Sequence, residues 1–213
     1  MKISDVVLWQ LSGSYEGPDF SRGNRQSQSI DVYPEFAART WAGGPAGPQP
    51  VTEIYVEVQT DSGLSGLFGP IEGYQADIIR RFLVPYLVGR DPLATELLYD
   101  QMIRLNRHGR SGIFMTGVSV VDCALWDLKG KAWDKPIYRL LGGPTRPKVD
   151  AYASMLGYAI DPEAAAEVTL DFKAQGFKAQ KWFFRYGPGD GTEGKEKNLA
   201  LVQALREAVG PFY

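Results

Sequence analysis

Apolar residues alternate with polar ones in short stretches near the start of the chain, then recur every three or four positions through its middle. Ile3 to Leu11 is rich in Val, Leu and Ile and predicts a strand. Val51 to Thr60 alternates apolar and polar residues, many β-branched, as a half-buried antiparallel strand does. Asp61-Ser62-Gly63 predicts a turn and Leu64 to Phe68 the returning strand. Ile78, Ile79, Phe82 and Leu83 then mark a helix over 74–88, stopped by Gly89. Asp91-Pro92 predicts the next helix start, with the helix running to Leu105. Val118, Val121, Leu125 and Leu128, with Ala124 and Ala132 on the same stripe, predict a longer helix over 115–134. Asp127 and Lys131 form an acid-then-base pair on its outer side. Lys135-Pro136 breaks it, and Leu140-Leu141-Gly142-Gly143-Pro144 closes the segment.

Beyond Pro147 the rhythm changes. A short strand over 149–154 precedes a helix started by Asp161-Pro162-Glu163 and ended at Gly176. A second strand over 177–184 precedes a helix from about Glu193 to Val209, stopped by Gly210. Strand, helix, strand, helix is the pattern of a parallel sheet or barrel. The pattern predicts an α+β domain over 1–147, then the first two βα units of a barrel over 148–213. A complete barrel takes about 250 residues, so its remainder is expected elsewhere.

Between the first two strands, Ser12 to Pro50 turns to Gly, Ser, Pro, Arg and Gln, a connection longer than compact domains ordinarily carry. It holds Tyr15, Phe20, Arg22, Arg25, Tyr33, Phe36, Arg39 and Trp41, which argues against a mere linker. The chain has 213 residues, a net charge of −2 and 44% hydrophobic residues, enough to bury a full core. Its Lys and Arg are dispersed, so no basic footprint points to nucleic acid. No apolar run approaches the roughly 18 residues of a membrane span, and Met1-Lys2-Ile3 leads into a strand rather than a leader peptide. A single cysteine, Cys123, excludes an internal disulfide, fits a reducing, cytoplasmic setting, and reads as a small packed hydrophobe. The only histidine, His108, lies in an Arg/Gly loop and reads as a solvated or capping residue.

Taken residue by residue, Ser119-Val-Val-Asp-Cys-Ala-Leu-Trp-Asp-Leu-Lys-Gly-Lys131, then Pro136-Ile-Tyr138 and Leu140-Leu-Gly-Gly143, resembles a known signature. It is that of the mandelate racemase/muconate lactonizing enzyme branch of the enolase superfamily. There the helix leads from an N-terminal capping domain into a modified (β/α) TIM-type barrel. The resemblance implies proton abstraction α to a carboxylate and a magnesium-held enediolate, in a homo-oligomer acting on a small carboxylate. It also implies a Lys-x-Lys motif at the end of the second barrel strand, matched here by Lys181-Trp182-Phe183. The first lysine is kept. The second, often a base, is Phe183, which cannot accept a proton.

Strand alternation puts Lys181, Phe183 and Arg185 on one face and Trp182 and Phe184 on the other. Lys181 is the candidate catalytic residue, a cation facing the substrate carboxylate. Phe183 and Arg185, with Arg22, Arg25, Arg39 and Trp41 in the cap loops, are candidate substrate contacts; arginine suits a carboxylate or polyol. The run Tyr186-Gly-Pro-Gly-Asp-Gly-Thr-Glu-Gly-Lys195 resembles the loop after this strand in L-rhamnonate dehydratases. A single base opposite Lys181 would then dehydrate an aldonate to a 2-keto-3-deoxy acid. The alternatives are a racemase, epimerase or cycloisomerase of the same family, or a non-catalytic fragment. The family's Mg²⁺ ligands are carboxylates on the third to fifth barrel strands. They are expected past Tyr213, so the chain by itself is expected to show no turnover.

Overall fold

The computed structural model describes residues 1–15, 26–33, 35–36, 48–211 and 213. The chain divides into two compact units, Met1–Tyr15 with Gln49–Pro147 and Glu16–Pro48 with Lys148–Tyr213.

The first unit is a three-stranded antiparallel sheet covered by helices. Strands β1 (Ile3–Tyr15), β2 (Gln49–Thr60) and β3 (Ser65–Ile71) pair in sequence order. The register sets Val6 opposite Val58 and Leu8 opposite Val56. Period-2 alternation therefore drives Val6, Val56 and Val58 into the core while Trp9 and Leu11 stay exposed. Gly63, at φ 82°, and the Thr60 hydroxyl donating to the Leu64 carbonyl at 2.7 Å close the hairpin.

The helix expected over 74–88 runs as α1 (Gly73–Ile78), a π turn over Ile79–Leu83 and α2 (Val84–Leu87). Val84 N–H reaches back five residues to the Ile79 carbonyl. Pro85, which has no N–H to give Arg81, follows directly, and such a gap in the ladder is a cause of π insertion. The next helix, α3 (Thr95–Arg104), starts later than Asp91-Pro92 implied. The Asp91 carboxylate accepts from Leu93 N–H at 3.0 Å and is spent on a turn before the helix begins.

The long helix α4 (Gly112–Ala132) lays Val118, Val121, Ala124, Leu125 and Leu128, all fully buried, onto the sheet. Asp134, at φ 51°, turns the chain out of it into the short α5 (Ile137–Leu140), and Gly142 at φ 89° ends that turn. The Asp127–Lys131 pair, 2.7 Å apart, does not merely decorate the outer side. Asp127 also accepts from Leu67 N–H at 2.8 Å, and Lys131 donates to the Ser65 carbonyl at 3.1 Å. The pair therefore pins β3 to the helix.

Asp122 is half-buried on α4, and burial, then the Glu96 charge, raises its pKa, with Lys129 opposing. A raised folded pKa means that the unfolded chain ionises first. Stability is full below the ordinary carboxylate range and falls as pH rises through the shifted value. Asp122→Asn should therefore melt higher than the parent at pH 7, with the gain shrinking toward pH 3.5 in thermal melts.

In the second unit, β4 (Ala153–Ser154) and β5 (Gln180–Lys181) pair in parallel, with Ser154 opposite Lys181. Both strands are shorter than the expected 149–154 and 177–184. Among the described residues each has one neighbour, and only two residue pairs meet. Helix α6 (Pro162–Ala174) follows β4, its N-terminus capped by Asp161, which accepts from Glu163 N–H at 3.1 Å and Ala164 N–H at 3.3 Å. Helix α7 (Gly191–Val209) follows β5 and packs on α6. Gly176 and Gly210, at φ 95° and 82°, stop the two helices where glycine was expected to. No helix among the described residues is long and apolar enough to cross a membrane.

Candidate functional site at the end of β5

The parallel pair has two unlike faces. On one, the Gln180 amide uses all its hydrogen-bonding capacity, with two of its bonds made to Thr169 on α6. Its oxygen accepts from the Thr169 hydroxyl at 2.8 Å and from Trp182 Nε1 at 3.0 Å. Its nitrogen donates to the Thr169 carbonyl at 2.8 Å and to the Tyr213 hydroxyl at 3.0 Å. Ala153, 5% exposed, and Met155, fully buried, alternate onto the same covered side.

The other face carries Tyr152, Ser154 and Lys181, all exposed. Lys181 is held by its backbone, whose carbonyl accepts from Met155 N–H at 3.0 Å. Its ammonium lies 5.3 Å from the centre of the Tyr152 ring. A cation is thus presented on the side of the sheet that the helices leave open, with a hydroxyl and a phenol beside it. Ser154 and Tyr152 were not singled out from sequence. The signal was available: in the first strand they share the parity that Lys181 has in the second.

Phe183 does not join Lys181 on that face. Because β5 ends at Lys181, strict alternation no longer governs the chain. Phe183, 6% exposed, lies in a core cluster with Ile160, Ala165 and Leu201, and Trp182 and Tyr186 pack against it. Arg185 is equally buried, its guanidinium 5.7 Å from the Tyr186 ring. Phe184 is exposed. Arg22, Arg25, Arg39 and Trp41 lie outside the described residues.

The loop after β5 is built tightly. A 3-10 turn over Pro188–Asp190 is closed by Gly187 N–H donating to the Asp190 carboxylate at 2.8 Å. Asn198 Nδ2 on α7 donates to the Tyr186 carbonyl at 2.9 Å. On the first turn of α7, Lys197 hydrogen-bonds Glu193 at 2.5 Å and holds its carboxyl below the usual range. Asp31, fully buried in the 3-10 turn Ser29–Val32, was also missed from sequence.

Elsewhere, His108 is exposed at the rim of a cleft with Arg104, Arg107 and Arg110. Cys123 is half-buried, and burial pushes its thiol up, away from nucleophilic use. Among the described residues no three metal-ligating side chains converge. The described residues therefore do not by themselves build a magnesium site.

Residues 47–142 match the N-terminal domain of the mandelate racemase/muconate lactonizing enzyme family. An L-rhamnonate dehydratase of Saccharopolyspora erythraea is 33% identical over 183 residues, covering 85% of this chain and 43% of that protein. The crystal structure of the 3,6-anhydro-D-galactonate cycloisomerase of Zobellia galactanivorans superposes with a TM-score of 0.70 at 26% identity, over 100% of this chain and 49% of that one. The D-glucarate dehydratase of Agrobacterium tumefaciens, complexed with magnesium, gives 0.70 at 26% identity, over 100% of this chain and 52% of that one. The chain thus spans about half the length, or less, of each protein that it resembles. By its matched domain and these likenesses, the chain carries the N-terminal domain of the mandelate racemase/muconate lactonizing enzyme family and is similar to members of the enolase superfamily.

Proposed function

We propose that the full-length protein is an acid-sugar dehydratase, with Lys181 facing the substrate carboxylate. The observation that carries this is the position of Lys181 on the open face of the β4–β5 pair, clear of the helix layer. In barrels that face and the strand ends hold the chemistry. The ammonium would offset charge that develops on the carboxylate as the C2 proton leaves, an interaction that strengthens toward the transition state. A base that these residues do not supply takes that proton. The C2–H electrons pass first into the carboxylate as an enediolate and then form the C2–C3 double bond as C3–O breaks, and the hydroxyl leaves as water with the proton that the base removed. The resulting enol becomes a 2-keto-3-deoxy acid. Phe183 stands where the family's second lysine would, so no proton is returned from this side.

The named activity of the 33%-identical relative supports L-rhamnonate as the first substrate to try. Magnesium, general in the superfamily, would stabilise the enediolate; we assign its ligands to residues outside this chain. A second reading, isomerisation, is favoured by the equally close fit to a cycloisomerase structure. Incubating the full-length gene product with an aldonate library and semicarbazide separates the two. Dehydration gives an absorbing keto-acid semicarbazone. Solvent deuterium in recovered substrate without keto acid would overturn dehydration in favour of isomerisation.

A further inference from the structure

Residues 101–121 carry Arg104, Arg107, His108 and Arg110 and no acid, in a chain whose net charge is −2. The four basic side chains line one cleft of about 520 Å³ in the first unit, together with Asn106 and Ser111. That volume falls within the roughly 300–1,000 Å³ of small-molecule sites. One cation is already matched, since Arg104 Nε donates to the Asp100 carboxylate at 2.9 Å. That hydrogen bond is the main cause holding the Asp100 carboxyl below the usual range, and the Arg110 charge adds a smaller share. Arg107 and Arg110 make no ion pair among the described residues. Nor do their side chains hold the loop, which is built by its backbone. His108 N–H donates to Asn106 Oδ1 at 2.8 Å, and Gly109 N–H to the Asn106 carbonyl at 3.0 Å. A Cβ on Gly109 would lie 2.4 Å from the Ile103 carbonyl oxygen, so glycine lets the loop close against the end of α3. Like charges gathered in a concave wall repel one another and focus a positive field, which an anion of opposite charge relieves.

We propose that this cleft is a binding site for a doubly charged oxyanion, a phosphate group, held by the Arg107 and Arg110 guanidiniums with His108 beside them. Guanidinium forks present paired N–H donors that match phosphate oxygens, and two such forks balance a divalent anion. The site depends on nothing in the dehydratase reading.

Titration calorimetry of the full-length gene product with inorganic phosphate tests it, at one fixed ionic strength because exposed charges are screened by salt. Arg107→Gln and Arg110→Gln should each weaken phosphate about tenfold, the effect of losing one charged hydrogen bond. Lys181→Met should leave phosphate binding unchanged. On the parent, phosphate should slow hydrogen exchange over residues 103–113 and not over 153–181. Because neither arginine is ion-paired, the double variant without phosphate should melt no lower than the parent. Should it melt lower, the exchange footprint on the parent decides instead. Absence of phosphate binding, binding that survives both arginine substitutions, or binding lost only with Lys181→Met overturns the site. Glycerol 3-phosphate in a second arm separates the sources. Tighter binding than inorganic phosphate supports an organic phosphate as the occupant, and weaker binding supports free phosphate.

Discussion

Replacing Lys181 with methionine should lower kcat of the full-length enzyme on its aldonate by about 10²–10³-fold, the effect of deleting one preorganised group that meets developing negative charge. The substitution isolates that role because the side chain contributes little to the fold. Lys181 is exposed, its strand hydrogen bond is made by its backbone carbonyl, and its ammonium only overlies the Tyr152 ring at 5.3 Å. The melt of Lys181→Met should stay within about 0.5 kcal/mol of the parent, as for a surface substitution. Its neighbour Gln180 gives the contrast. That residue makes four side-chain hydrogen bonds, two of them to Thr169 on α6, so its loss should cost stability first. Lys181→Arg should recover part of the lost rate, since it keeps the charge but changes its reach and shape. A methionine variant with wild-type kcat would remove the lysine from the chemistry.

Gly66→Ala should be the most damaging single methyl in the first unit, costing about 3 kcal/mol or more. Strand β3 crosses α4 so closely that a Cβ on Gly66 would lie 2.0 Å from the Ala124 carbonyl oxygen and 2.7 Å from Leu128 Cβ. Neither neighbour can yield cheaply, because one is helix backbone and the other is the stem of a fully buried leucine. Against a total stability of about 5–15 kcal/mol, that is a large share. Gly117→Ala provides the graded comparison. Its near neighbours are side-chain atoms, Ile78 Cγ2 at 2.6 Å and Cβ at 3.0 Å, and the nearest backbone atom, the Gln75 carbonyl oxygen, is 3.7 Å away. Gly13→Ala meets nothing within 4 Å and should be neutral. Urea midpoints, read with the slope unchanged, should rank Gly66→Ala well below Gly117→Ala and that below Gly13→Ala. Equal midpoints for the three would mean that the sheet and α4 are not in the close contact described.

Much of this was readable in the residues. The alternation of Val56 and Val58 and the 3-4 spacing of Val118, Val121, Leu125 and Leu128 are direct records of which side is buried, because one face of each element meets water. Gly176 and Gly210 announced helix ends since each must adopt positive φ. Long-range demands were harder to see. Asp91 looked like a helix cap, but a turn one residue pair on claims its carboxylate. The Asp127–Lys131 pair looked like surface decoration, yet its second function is to hold β3, sixty residues away in the chain. At the site, parity within the strand located Lys181 on the open face but failed at Phe183, because alternation carries meaning only while a strand lasts.

The most direct measurement is a crystal structure of the full-length gene product with a bound aldonate. Lys181 Nζ should lie within hydrogen-bond distance of the ligand carboxylate, roughly 3 Å, on the open face beside Ser154 and Tyr152. An aldonate bound at some other place, with the Lys181 ammonium turned into solvent away from it, would contradict the account.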